Sequence, residues 1–190
     1  LMGQAAELAI MWMLKQYQDG NTVSTDQVWD QIARPFLTKN WNESKEGLWK
    51  KNSKQYCCLR EHYYPSKLDD NDLKRKVASQ VQNCIQQFSA TALPRLLDKD
   101  SVQEFQITTP DLGGDVEHFF YEDIKIYAIP DYAYRINDEV HIHDWKAGKI
   151  KTEHHKLQLS LYALWAIIKY DAALDNIFLY IEYLNEGKVF

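Results

Sequence analysis

The strand-like segment of residues 140–146 constrains the fold of this chain more than any other segment. Because successive side chains of a β-strand point to opposite faces, Asp144 and Lys146 are expected on one face, with the apolar residues at 140 and 142. The histidines at 141 and 143 and the tryptophan at 145 are expected on the other face. A glycine turn and a mostly apolar helix follow, so the segment predicts a strand that leads into a helix packed on a sheet.

A second strand-like segment precedes this one and carries another carboxylate. Residues 124–136 have a β-rich composition, and residues 137–139 have the composition of a hairpin turn. Antiparallel pairing across that turn is expected to bring Asp131 near Asp144. Buried charges need a partner or a metal. Two carboxylates beside the Lys146 ammonium therefore suit Mg²⁺ or Mn²⁺ and phosphoryl transfer.

These residues resemble the motif of the PD-(D/E)XK nuclease superfamily. The last part of the motif is similar to the Q-x-x-x-Y element of the RecB-like branch, which includes CRISPR-associated and exonuclease relatives. The resemblance is specific over about the C-terminal third of the chain, and it implies a restriction-endonuclease-like core. The matching residues are Pro130, Asp131, Asp144, Trp145, Lys146, Gln158 and Tyr162.

The resemblance implies a role for each polar group of the hairpin. Asp131 and Asp144 would bind the metal, and the backbone carbonyl of Trp145 would add a ligand. Lys146 would stabilise the charge that develops on the attacked phosphate, or would position the water. The alternative is an ion pair between Asp144 and Lys146 at a strand end, with Asp131 as a turn residue.

Gln158 and Tyr162 are four residues apart and therefore share one face of the predicted helix. In the family that it resembles, this pair supports the metal site and the substrate phosphate. The alternative is a buried amide with satisfied hydrogen bonds and a tyrosine that only fills the core.

A third acidic ligand is expected from one of two places. RecB-like relatives carry Gly-x-x-x-His on an early helix, and Gly3 and Glu7 have that spacing with glutamate in place of histidine. The alternative is that Glu7 is an acid in the first turn of its helix, where the helix dipole favours it. Glu104, from the first predicted strand, is the second choice of ligand.

Neither a zinc site nor an iron–sulfur cluster is expected. His141 and His143 share the strand face opposite the acids and are expected at the surface or in contact with the metal ligands. No pair of cysteines has a spacing that is typical of zinc sites. Some RecB-like nucleases hold a cluster on four cysteines, whereas this chain has 3, at positions 57, 58 and 84.

DNA, as a single strand or a duplex end, is the expected partner, with a helicase or recombination protein as a possible second one. Candidate contacts to nucleic acid are Lys149 and Lys151, just past the motif, with His155 and Arg60. The net charge of -5 argues mildly against this partner, because nucleic-acid-binding proteins are more often basic. An acidic metal site, however, binds phosphate only through its cation.

The length predicts one domain over residues 1–190, and a composition with 45% hydrophobic and 13% aromatic residues predicts that it is folded. Residues 1–97 are predicted to be mainly helical. Their helices are expected at 5–18, from 24 or 25 with a bend or an end at Pro35, from about 45 to 63 and from 69 or 71, with a polar connection at 40–44. Residues 98–190 are predicted to form the catalytic α/β core, a mixed sheet with an antiparallel meander and a crossover helix, flanked by helices.

The sequence therefore predicts a Mg²⁺- or Mn²⁺-dependent nuclease that hydrolyses DNA. The resemblance implies exonuclease-like action that leaves a 5′-phosphate, in DNA repair or recombination. One alternative is a nuclease-fold subunit that binds DNA without cutting it, and another is an α/β protein whose D-x-K sequence is accidental. No segment approaches the roughly twenty apolar residues of a membrane span, and a cytoplasmic protein is expected.

Overall fold

The computed structural model of the chain describes residues 1–64, 69–96, 104–107, 117–150 and 152–190. They divide into two compact units, Leu1–Leu93 and Pro94–Phe190. The first unit is helical, and the second carries the β-sheets. The prediction of a mixed α/β protein with a helical N-terminal half is therefore confirmed. In the described part of the chain, no helix is both long enough and apolar enough to cross a bilayer.

Helices make up most of the first unit. They are α1 Met2–Gln18, α2 Thr25–Val28, α3 Arg34–Lys45, α4 Arg60–Tyr63, α5 Asp70–Gln87 and α6 Leu93–Leu96, the last of which runs into the second unit. The core forms where α1 packs on α5, and both helices bury small and branched apolar side chains there, such as Ile10 and Ile85. The Asp69 side chain caps α5 by accepting hydrogen bonds from its first backbone N–H groups.

Two expectations for the first unit are wrong. Residues 40–44 are not a connection but part of α3, whose buried side includes Trp41 and Ser44. Of the two effects expected of Pro35, the end of a helix is wrong, because Pro35 lies in the first turn of α3, where a missing N–H costs no hydrogen bond, whereas a bend there stays a prediction. A π-helical turn, Trp29–Ala33, joins α2 to α3.

The predicted helical stretch up to residue 63 is also largely wrong. Only a 3₁₀ turn, Leu48–Lys50, and the short helix α4 form there, and turns lie between them. The predicted N-cap at Ser24 is confirmed by a reciprocal pair of hydrogen bonds. The Ser24 hydroxyl accepts from the Gln27 N–H at 3.2 Å, and the Gln27 side chain accepts from the Ser24 N–H at 2.8 Å.

The second unit contains two sheets and one long helix. Its elements are β1 Glu104–Ile107, β2 His118–Tyr121, β3 Ile124–Tyr127, β4 Tyr132–Ile136, β5 Glu139–Lys146, α7 Thr152–Tyr170, β6 Ile177–Tyr183 and β7 Lys188–Val189. Among the residues that the structure describes, the large sheet has the order β1-β4-β5-β6-β7, and β2 and β3 form a separate two-stranded sheet. All pairs are antiparallel except β5 with β6, and α7 is the connection between these two parallel strands.

One predicted strand is in fact two. Residues 124–136 are interrupted at residues 128–131, so that β3 belongs to the small sheet and β4 to the large one. The interruption contains Pro130, which has no backbone N–H to donate to a neighbouring strand. The break leaves Asp131 directly before β4.

Helix α7 covers one face of the large sheet and forms the core of the second unit. The buried cluster consists of Phe119, Ala128, Ala133, Val140, Ile142, Tyr162, Trp165 and Ala166. Val140 and Ile142 therefore point towards α7, as the period-two pattern of β5 predicts. Asp144, two residues further along β5, is brought to the same helix.

Candidate metal and nucleic-acid site

The β4–β5 hairpin places Asp131 at the end of β5. Its turn is Asn137 and Asp138, and Asn137 takes the positive φ of 52° that asparagine tolerates. The pairing register reaches Tyr132 opposite His143 at the open end. One residue beyond that pair, a carboxylate oxygen of Asp131 accepts a hydrogen bond of 2.6 Å from the Trp145 backbone N–H. The hairpin thus brings Asp131 to the strand segment that carries the second acid.

Asp144 is the most enclosed acid of the site, with 2% of its surface exposed. Its Oδ1 accepts two hydrogen bonds of 3.0 Å, from the Gln158 amide and from the Tyr162 hydroxyl. Its Oδ2 is in contact with the Lys146 ammonium and has no hydrogen bond of ordinary geometry with the described residues. Both carboxylate oxygens are therefore held by side chains that the motif predicts.

Tyr162 and Gln158 form a small hydrogen-bonded group on α7. The Gln158 amide donates to the Tyr162 oxygen at 2.7 Å, and the Tyr162 hydroxyl also lies 2.9 Å from the Ile129 carbonyl. Burial, and then the charges of Asp144 and Asp131, raise the pKa of Tyr162. The phenol therefore stays protonated as a donor. A tyrosine that only filled the core would not need this arrangement.

The end of β5 is fixed by the turn that follows β6. The Leu184 N–H donates to the Lys146 carbonyl at 3.0 Å, and the Asn185 amide donates to the Ala147 carbonyl. The Lys146 side chain itself remains 25% exposed. The backbone is thus held in place while the ammonium can still meet a ligand that arrives from solvent.

The remaining predicted ligands are placed as follows. Glu7 lies in the second turn of α1, in the first unit, so its alternative role as a first-turn acid is wrong and its role as a ligand stays a prediction. Glu104 is the first residue of β1, and its side chain lies outside the described part. Trp145 is buried, and its ring stacks on Tyr132 at 6.0 Å, whereas metal binding by its carbonyl stays a prediction.

The predicted nucleic-acid contacts belong to different elements of the chain. Lys149 is exposed in the connection after β5, and Lys151 lies outside the described residues. Arg60 is exposed at the start of α4, in the first unit. The Nδ1 of His155 lies 2.6 Å from the Tyr183 hydroxyl, so this histidine is held near the carboxyl end of β6.

The site offers a cation two carboxylates. In the described stretches, no group of three His, Cys, Asp or Glu side chains is arranged to hold a metal ion. Mg²⁺ commonly takes one or two carboxylates, keeps several waters and uses substrate phosphates as further ligands. Asp131 and Asp144 fit this mode of binding. The Oδ2 of Asp144 is paired with the Lys146 ammonium, so a cation bound to this oxygen would take the place of that ammonium.

A buried polar group on the opposite sheet face was missed by the sequence analysis. His143 is 4% exposed, not at the surface, and its Nδ1 lies 2.7 Å from a carboxylate oxygen of Glu182. The other oxygen of Glu182 accepts from Arg95 at 2.9 Å. Rings of Tyr134 and Tyr180 stack on the two sides of the imidazole. A glutamate inside the apolar run of β6 was the signal that could have revealed this group.

We expect His143 to make stability depend on pH. Burial lowers the pKa of His143, against the opposing effect of Glu182, so the folded protein holds it neutral while the unfolded chain takes up a proton near pH 6.5. The contribution of neutral His143 to the stability of the folded protein is therefore complete above about pH 6.5. It is lost as the pH falls towards the pKa that His143 has in the folded protein. In urea titrations with EDTA, the free energy of unfolding should fall below that pH by up to about 1.4 kcal/mol per unit for this proton.

The His143→Gln variant should show a correspondingly shallower decline, and His118→Gln should keep the slope of the wild type. Equal slopes for the wild type and His143→Gln would show that His143 does not control this dependence.

Comparisons of the chain with protein-family models, with curated proteins and with solved structures return no match.

Proposed function

We propose that the second unit hydrolyses DNA phosphodiester bonds with the help of Mg²⁺ or Mn²⁺. The observation that carries this proposal is the surroundings of Asp144. A buried carboxylate, held by Gln158 and Tyr162 and paired with Lys146, stands beside Asp131 on a neighbouring strand end. An accidental D-x-K sequence would not need two further motif residues, Gln158 and Tyr162, to meet at the carboxylate of Asp144.

The topology supports the same proposal. An antiparallel hairpin, β4–β5, is followed by a crossover helix and a parallel strand, and this is the arrangement that the motif implies for a restriction-endonuclease-like core. The two acids come from the hairpin and the amide–phenol pair from the crossover helix. This order of hairpin, crossover helix and parallel strand supports the proposal.

Asp131 and Asp144 would hold the cation. When bound, it supplies positive charge that activates a water and stabilises the attacked phosphate. Gln158 and Tyr162 bind Oδ1 and keep Asp144 in one orientation, so that the ion would bind Oδ2 in place of the Lys146 ammonium. The hydrogen bond from the Trp145 N–H orients Asp131 in the same way.

Lys146 would act on the substrate directly. Its ammonium is within reach of solvent and of Asp144, so it can offset negative charge on the phosphate oxygens as the new bond forms. Because the charge grows in the transition state, this interaction lowers the barrier more than it tightens substrate binding. We also propose that cleavage proceeds from a DNA end and leaves a 5′-phosphate.

A second candidate function is DNA binding without cleavage. It is favoured by the finding that the described residues offer two carboxylates at the site but no group of three metal-binding side chains. The two functions differ in whether a divalent cation is required for a chemical product.

The test is a cleavage assay on labelled single-stranded, duplex, linear and circular DNA, with Mn²⁺, Mg²⁺ or EDTA. The wild type should cleave only with a divalent cation. Lys146→Gln should reduce kcat by about a hundredfold or more with little change in KM, since the lost charge acts in the transition state. Lys188→Gln, whose side chain is 58% exposed on β7, is the matched control and should keep most of kcat.

Retained DNA binding without product under any of these conditions would favour the binding module. Full activity of Lys146→Gln would refute the assigned role.

A further inference from the structure

The β2–β3 hairpin carries an exposed aromatic face. Its register pairs His118 with Tyr127 and Phe120 with Lys125, so these four side chains share one face. Phe120 and Tyr127 are 58% and 56% exposed. The His118 ring lies 5.7 Å from the Phe120 ring and 6.0 Å from the Tyr127 ring. A ribbon of two strands thus presents several adjoining rings to solvent.

The opposite face explains why the hairpin holds this position. Phe119 is buried in the core cluster with Tyr162 and Trp165, and Ile126 packs against the same cluster. The ring face therefore points away from α7. The exposed rings on this face are not part of the core cluster of the second unit.

Both ends of the hairpin are attached to the helix that holds Asp144. Before β2, a carboxylate oxygen of Glu117 accepts from the Trp165 indole at 2.9 Å. After β3, the Ile129 carbonyl lies 2.9 Å from the Tyr162 hydroxyl. From Tyr127 to Asp131 the chain can extend over at most about 14 Å. This span matches about four stacked nucleotides.

The ring face also carries a cation. The Lys125 ammonium lies 5.0 Å from the centre of the Tyr127 ring. Aromatic rings interleaved with positive charge suit single-stranded nucleic acid, because bases stack on the rings and phosphates meet the cation. Two acids, Glu122 and Asp123, form the tip of the hairpin and disfavour phosphate there. The favourable charge therefore lies towards the end that is attached to α7.

We infer that the face formed by His118, Phe120, Lys125 and Tyr127 is a stacking platform for single-stranded DNA. It holds the unpaired end of a substrate beside the site at Asp144. The inference rests on the proposed function for its choice of DNA, but the platform itself requires neither a metal nor cleavage.

The test measures binding without chemistry. A fluorescent oligothymidylate of about ten nucleotides, within the usual size of single-strand sites, is titrated with protein in EDTA and followed by anisotropy. The double variant Phe120→Ala, Tyr127→Ala should bind at least about tenfold more weakly than the wild type. A blunt duplex of the same length should bind both proteins equally, since its bases are already stacked.

The matched control is Tyr121→Ala. This tyrosine is also about half exposed on the same hairpin, but it lies on the other face. It should bind the single strand as the wild type does. Lys125→Gln should lower the slope of log K against log salt by about 0.7, the value for one phosphate contact on a single strand. Melting curves should show that the variants remain folded, because the altered side chains are exposed.

The outcomes separate the platform from the nuclease. Loss of single-strand binding in the double variant supports the platform even if the wild type cleaves nothing. Unchanged binding in that variant, or no binding of the oligonucleotide by the wild type at micromolar concentration, overturns the platform even if cleavage is observed. An equal loss in Tyr121→Ala would also overturn it, since the opposite face would then be equally involved.

Discussion

Replacing Asp144 with asparagine should reduce Mn²⁺-supported DNA cleavage by at least about a hundredfold. Asparagine has nearly the shape of aspartate and can still accept from Gln158 and Tyr162, so the packing around it should persist. The charge is lost, and with it the affinity for the cation and the ion pair with Lys146. The measurement is the initial rate on end-labelled DNA at saturating Mn²⁺.

Asp138→Asn is the matched control for this variant. It removes the same charge from the turn of the same hairpin, where the side chain is 88% exposed. We expect its rate and its melting temperature to equal those of the wild type. If Asp144→Asn cleaved as fast as Asp138→Asn, the carboxylate at position 144 would have no catalytic role.

Replacing Trp165 with alanine should destabilise the protein by about 3–5 kcal/mol. The indole is completely buried in the cluster between α7 and the sheet, and its ring meets Tyr170 edge-on at 5.4 Å. Truncation leaves a cavity and removes the hydrogen bond to Glu117. Urea unfolding followed by circular dichroism measures the loss without depending on tryptophan fluorescence.

The comparison variant lies on the same helix. Leu157 is 70% exposed, so Leu157→Ala should change the free energy of unfolding by no more than about 0.5 kcal/mol. Similar losses for Trp165→Ala and Leu157→Ala would mean that α7 does not pack on the sheet through the face described here.

The positions of the residues around Asp144 follow from patterns that are local in the chain. The alternation in β5 places Asp144 towards α7, because a strand has a period of two whatever its neighbours are. The turn at Asn137 sets the register of the hairpin and hence the position of Asp131. The spacing of Gln158 and Tyr162 puts both on one side of α7. These relations depend on residues close in the chain.

Long-range pairing was not predictable in the same way. Glu182 meets His143 because β5 and β6 run in parallel, and their register is set across the whole of α7. The separation of β3 from β4 depends on which partner each strand finds after Pro130. In the first unit, the polar residues around Trp41 obscured a helix whose buried side is narrow. Tertiary contacts decided each of these cases.

The most direct test of the metal site is a titration of the wild type and of Asp144→Asn with Mn²⁺, followed by electron paramagnetic resonance of the free ion. The wild type should bind at least one equivalent in the absence of DNA, and Asp144→Asn should bind it at least about tenfold more weakly. Equal Mn²⁺ binding by the two proteins, or no binding by the wild type at millimolar concentration, would contradict a metal site at Asp131 and Asp144.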